Sequence, residues 1–191
     1  MNIGQKRDAA GAFLTHLSKA TEAVGEDYFK LPTTCSAPVY KERVYCYELY
    51  HQLRKRIGDD FGFVLGGEVD KRSHDDLREL KLDLTAPDLL VHRPGDWSGN
   101  LVIVEIKSCD RTINTDAVRR DLSKLYRFVK HAKYVLGVYL LYGQEADGIR
   151  RVRRTAHNWC KKEGITFPIK DVDLYWHSRA LAPVEAVPWQ G

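Results

Sequence analysis

Three residues stand out for the chemistry their types and spacing allow: Asp88, Glu105 and Lys107. Asp88 follows a proline at the head of a short apolar run, Pro-Asp-Leu-Leu-Val-His over 87–92. Glu105 and Lys107 interrupt a second run, Leu-Val-Ile-Val-Glu-Ile-Lys over 101–107. A carboxylate inside a β-branched stretch is costly to bury unless it meets a partner. Two carboxylates together with the Ile106 carbonyl form an all-oxygen donor set, which suits a hard divalent cation, Mg²⁺ or Mn²⁺. A lysine beside them would orient a water or stabilise negative charge growing on a phosphate.

For these groups to meet, both runs must be strands that pair. The second run is apolar and β-branched, and the link Arg93–Asn100 is dense in turn formers. Side chains alternate along a strand, so Glu105 and Lys107 share a face opposite Val104 and Ile106. On the first run Asp88, Leu90 and His92 share a face. A hairpin therefore brings one carboxylate from each strand beside the lysine. Upstream, Lys41–Ile57 reads as a helix with Cys46, Leu49, Tyr50, Leu53 and Ile57 on one stripe. Glu42 falls in line with that stripe, and Glu48 falls on the far side. Phe61–Val69 reads as the first strand, where Gly66-Gly67 permits a close backbone approach. Glu68 and Asp70 share a face there, and Glu68 is a further candidate to look onto the site. Lys71–Lys81 is a charged excursion. Downstream, Asn114–Ala132 reads as a helix that buries Val118, Leu122, Leu125, Val129 and Ala132. Lys133–Tyr142 is a continuous apolar run, suited to a central strand covered on both faces.

Pro87-Asp88 followed by Glu105-Ile106-Lys107, each on a short apolar strand between amphipathic helices, resembles the PD-(D/E)xK nuclease superfamily. The resemblance spans roughly residues 40–142. It implies an α/β, restriction endonuclease-like fold: an α-β-β-β-α-β core whose central mixed sheet is flanked by helices. An extra N-terminal helix and a basic C-terminal helix are expected as additions. It also implies Mg²⁺, or Mn²⁺, on Asp88, Glu105 and Ile106, with Lys107 positioning the attacking water. The first core helix of the family supplies an acid, for which Glu42 and Glu48 both stand. The helix after the motif supplies an assisting polar residue, for which Lys124 and Tyr126 both stand. The expected division is residues 1–39 as a helix-and-loop extension, 40–178 as the nuclease-like domain and 179–191 as a tail.

Charge distribution points to the partner. The net charge is only +4. Yet Gly148–Glu163 sets Ile149, Val152, Ala156 and Trp159 on one stripe and Arg150, Arg151, Arg153, Arg154, Lys161 and Lys162 around the rest. Such one-signed density favours a phosphate-binding surface, most simply on double-stranded DNA. With 29% charged and 43% apolar residues, the composition is that of a globular domain. Four widely spaced cysteines give neither zinc spacing nor a disulfide framework. No signal-peptide pattern and no membrane-length apolar stretch is present in the sequence, so a cytoplasmic protein is expected. The N-terminal amphipathic helix over residues 5–24 would serve packing, or assembly into a homodimer or larger complex. The expected function is a metal-dependent nuclease, a DNA endonuclease in its simplest form. The alternative is a non-catalytic nucleic-acid-binding module, or a partner protein, that keeps the fold.

Overall fold

The run that carries Glu105 and Lys107 becomes β3, Val102–Ser108, the third strand of a six-stranded mixed sheet. The computed structural model describes residues 1–34, 36–67, 86–109 and 113–190. Within them, neighbours in the sheet are neighbours in the chain. The strands are β1 (Val64–Gly67), β2 (Leu89–His92), β3, β4 (Leu136–Tyr142), β5 (Val172–His177) and β6 (Glu185–Val187). The β1–β2, β2–β3 and β5–β6 pairs are antiparallel, and β3–β4 and β4–β5 are parallel. A parallel step needs a long crossover. The helices α4 (Thr115–Lys130) and α5 (Ala146–Glu163) provide the two.

Helices cover both faces. On one, α1 (Ile3–Thr21) and α3 (Glu42–Arg56) place Phe13, Leu17, Tyr45, Leu49 and Leu53 on Val102, Val104, Ile106, Val138 and Leu140. On the other, α4 and α5 place Val118, Leu122, Leu125, Phe128, Val152 and Trp159 on Ile103, Tyr139 and Leu141. Strands β3 and β4 are thus buried on both sides, which is why they read as continuous apolar runs. Phe128 takes the fully buried place that periodicity gives to Val129, which is only partly buried.

Side-chain caps fix the helix starts. Asn2 and Gln5 form a reciprocal capping box on α1, and the Asn114 side chain accepts from the Asp116 and Ala117 N–H groups at the start of α4. Helix α5 ends at Gly164 in the left-handed conformation, φ 66°, which glycine adopts without strain.

Both ends of the chain contribute more than the sequence suggests. The expected N-terminal extension packs α1 into the same core as α3. Inside the expected loop, a single helical turn α2 (Glu26–Phe29) buries Phe29 against Tyr45, Tyr142 and His177. The expected tail, 179–191, supplies edge strand β6, and Trp189 Nε1 donates to the Val172 carbonyl at 2.7 Å. Pro183 and Pro188 obscure that strand in the sequence. They flank it at a sheet edge, where a missing N–H need not break the ladder. The Leu181 N–H donates to the Val24 carbonyl at 3.0 Å and the Val184 N–H to Thr21 Oγ1 at 2.9 Å, tying this segment to the end of α1. Glu68 and the Lys71–Lys81 excursion lie outside the described residues. Among the described residues, no helix is long and apolar enough to cross a membrane.

Candidate active site

Leu89 pairs with Val104, so one step further in each strand brings Asp88 and Glu105 level with one another. Asp88 Oδ2 accepts the Ile106 N–H at 2.7 Å, locking the head of β2 onto β3. Glu105 is only 2% exposed and looks toward α4, where Lys124 Nζ lies 2.8 Å from its Oε2. Lys124 also donates to the Ala86 carbonyl at 3.0 Å. The other oxygen, Glu105 Oε1, is buried with no hydrogen-bond partner.

Lys107 stands two residues on, at the same face. Its ammonium lies 3.0 Å from Glu42 Oε2 and 3.5 Å from Asp121 Oδ2. Glu42 opens α3 and reaches around the end of β3, where its Oε1 accepts from the Ser108 N–H at 3.1 Å and Ser108 Oγ at 3.0 Å. Asp121 comes from α4 and accepts from the Tyr139 hydroxyl at 3.3 Å. Four carboxylates thus surround two ammonium groups.

Burial governs the ionisation of this cluster. It raises Glu105 well above the usual carboxylate range, and the neighbouring Asp88 adds to the effect, with Lys124 offsetting part. Burial also raises Asp88, against the Ile106 N–H and Lys124, and raises Asp121, against Lys107 and Lys124. For Lys107 burial disfavours the ammonium, but Asp121 and Glu42 outweigh it and the pKa is raised. Lys107 is therefore a proton donor in hydrogen bonds at neutral pH, and not a base. Burial, with Asp121 and Glu105, holds the Tyr139 phenol well above its ordinary value, so it stays protonated.

Of the residues expected from sequence, the structure brings together Glu42, Asp88, Glu105, Ile106, Lys107 and Lys124. It does not bring Glu48, which accepts from Gln52 Nε2 at 2.7 Å along its own helix. Tyr126 also points elsewhere: its ring meets Trp159 edge to face and its hydroxyl accepts from Lys130. The structure adds Asp121 and Tyr139 to the cluster, neither of which the sequence reading singled out. The signal for Asp121 was present, because it falls within the apolar stripe of α4 around Leu122 and Leu125, where a solvated acid has no place.

Two cavities flank the cluster. A small one, about 190 Å³, is lined by Glu42, Arg43, Cys46, Tyr47, Asp88 and Ile106. A larger one, about 830 Å³, lies between α4 and α5 and reaches Ala86, Asp121 and Lys124. Its remaining wall is Arg119, Arg120, Ser123 and Arg127 with Asn158, Trp159, Lys162 and Glu163. Of the six basic α5 residues expected to hold phosphates, only Lys162 lines it. Arg150 pairs with Asp147 on its own helix, and Arg154 and Lys161 share that side by helical geometry.

The donor set suits a divalent cation in one respect above all: Glu105 Oε1 is a buried carboxylate oxygen with no hydrogen-bond partner, so it has a lone pair to offer an ion or a water. Among the described residues, no group of three or more His, Cys, Asp or Glu side chains is arranged to hold a metal ion. Such an ion would therefore rest on Asp88 and Glu105, with the Ile106 carbonyl and water completing its shell. In comparisons with known proteins, the chain matches no family model, no curated protein and no solved structure.

Proposed function

We propose that this protein is a metal-dependent nuclease of the PD-(D/E)xK type that hydrolyses phosphodiester bonds in DNA. The observation that carries the reading is the meeting of Asp88, Glu105, Lys107 and Glu42 at the ends of β2 and β3, with Glu105 Oε1 buried and unpartnered. The order α3-β1-β2-β3-α4-β4 among the described residues supports it, since it follows the α-β-β-β-α-β core of that superfamily. Charge supports it too. Fully ionised, Glu42, Asp88, Glu105 and Asp121 exceed Lys107 and Lys124 by two negative charges, the amount one divalent cation neutralises.

Mg²⁺ or Mn²⁺ bound at Asp88 and Glu105 would supply a water of lowered pKa and offset charge on the phosphate. The chain's own residues do the rest. Glu42 and Asp121 hold the Lys107 ammonium in place, and its N–H groups can orient the attacking water or meet a non-bridging phosphate oxygen. Tyr139 fixes Asp121 from below. Lys124 keeps one Glu105 oxygen engaged and leaves the other to face a cation.

The test is cleavage of plasmid and end-labelled oligonucleotides with Mg²⁺, Mn²⁺ or EDTA. Cleavage is expected only with metal, and Asp88→Ala, Glu105→Ala and Lys107→Ala should each lower it by about 10²-fold or more. Retained activity in any of the three removes the assignment. A binding-only protein would instead show no heat of Mn²⁺ binding that depends on Asp88 and Glu105.

A further inference from the structure

We propose that the outward face of α3 is the surface along which DNA lies beside the candidate active site, with Arg43, Tyr47 and Arg54 on its phosphates. This deepens the nuclease reading and rests on it for where the scissile phosphate sits. Among the described residues of α3, the exposed ones are Arg43, Tyr47, His51, Arg54 and Lys55, and no acid is among them. The two acids of the helix are engaged elsewhere: Glu42 meets Lys107 and Ser108, and Glu48 accepts from Gln52. At 100° per residue Arg43, Tyr47, His51 and Arg54 fall within about 80° of one another, forming a stripe roughly 16 Å long.

The stripe begins at the site. Arg43 and Tyr47 line the small cavity together with Glu42, Asp88 and Ile106, so a phosphate chain bound at Asp88 meets these two side chains first. Charge favours that path. A solvated helix face alternates both signs, whereas this one carries a single sign in a chain of 30 Lys and Arg against 26 Asp and Glu. Arg54 and Lys55 suit the C-terminal end of a helix dipole, but Arg43 lies in the first turn, where the dipole repels a cation. A phosphate chain offers such an arginine more than its own helix does. Tyr47 is 59% exposed, so a bound chain can reach it, and tyrosine is among the regular hydrogen-bonding partners of DNA phosphates. Contacts of this kind fix the position of a duplex without reading its sequence.

Binding in EDTA tests this surface apart from the chemistry. A fluorescent DNA duplex of about 20 base pairs is titrated with protein over a salt series and followed by anisotropy. Arg43→Ala with Arg54→Ala should weaken binding at least about tenfold and lower the salt slope by about 0.9 for each of the two contacts. Tyr47→Phe, which removes no charge, should weaken binding about threefold or more at every salt concentration and leave the slope as it was. Arg150→Ala with Arg154→Ala removes the same charge from α5, outside both cavities that flank the cluster, and should leave the slope unchanged. An Arg43/Arg54 slope no lower than that of the α5 pair overturns the inference. So does a Tyr47→Phe variant that binds as the parent does, or a parent that does not bind the duplex. Binding that follows the expected pattern in a protein that cleaves nothing removes the nuclease reading and leaves the α3 surface standing. Metal-dependent cleavage by a protein whose α3 variants bind unchanged does the reverse.

Discussion

Glu105 shows how much a single side chain carries. Its folded pKa lies above its unfolded value, because burial and Asp88 penalise the charge. An acid raised on folding stabilises the protein most below its unfolded pKa and progressively less as pH rises toward the folded one. Glu105→Gln should therefore raise stability at pH 7, by about 1 kcal/mol, and the gain should shrink near pH 4 in denaturant melts. The lysine is not orphaned by this change, since the amide oxygen and the Ala86 carbonyl still accept from Lys124. Cleavage should be lost with it. Mn²⁺ should reveal the same residue from the other side. At about a hundred times its Kd, an ion that binds only the folded state adds about 2.7 kcal/mol. The parent should gain that in a thermal shift and Asp88→Ala should not. The two candidate helix acids part cleanly: Glu42→Ala should depress cleavage through Lys107, and Glu48→Ala, which removes a carboxylate accepting from Gln52 along its own helix, should leave it alone.

Elements decide which of these residues were legible in the sequence. Strand β3 announced itself because a Glu and a Lys in a β-branched run have few meanings, and its neighbour followed from Pro87-Asp88. The placement of Glu42 followed from its being in line with an apolar stripe. Asp121 was passed over because α4 also carries four arginines and lysines near it, so one more charged residue looked like a solvated face. The α5 basic residues were read from charge density alone, and of the six only Lys162 lines the cleft. Density of charge on a helix says nothing about which side the cleft lies on, and only the packing of α5 on α4 does. Strand β6 was hidden by its flanking prolines and its three-residue length. Its contribution can be weighed directly: Trp189 is 7% exposed and packs with Phe167, so Trp189→Ala should cost about 3–5 kcal/mol in urea denaturation. A loss under about 1 kcal/mol would return the segment to the role of a tail.

At the scale of the whole molecule, the aromatic centre on the α1–α3 face sets an acid limit. His177 is fully buried, with Nδ1 2.8 Å from the Tyr45 hydroxyl, and Tyr45 stacks on Tyr142 with centroids 3.9 Å apart. Burial lowers its pKa to about 4, against a smaller opposing effect from the Arg179 and Ala182 backbone. A histidine depressed on folding leaves stability intact above its unfolded pKa, about 6.5, and draws it down as pH falls toward 4. The contribution amounts to about 3 kcal/mol over that window. Proton NMR should show the His177 ring titrating near pH 4. A His177 midpoint above 6 would remove this limit.

The sheet order has a consequence for how the chain is made. Among the described residues, every strand after β1 pairs with the one before it in sequence, so each can add to a growing edge as it leaves the ribosome. The links from Leu181 and Val184 back to Val24 and Thr21 run against that order. They join a helix made first to a segment made more than 150 residues later. At about 5–20 residues per second, α1 spends roughly ten seconds or more with that part of its surface uncovered. The nascent chain is then a sheet assembled in order on a first helix that stays partly uncovered, which is where a chaperone would have something to grip.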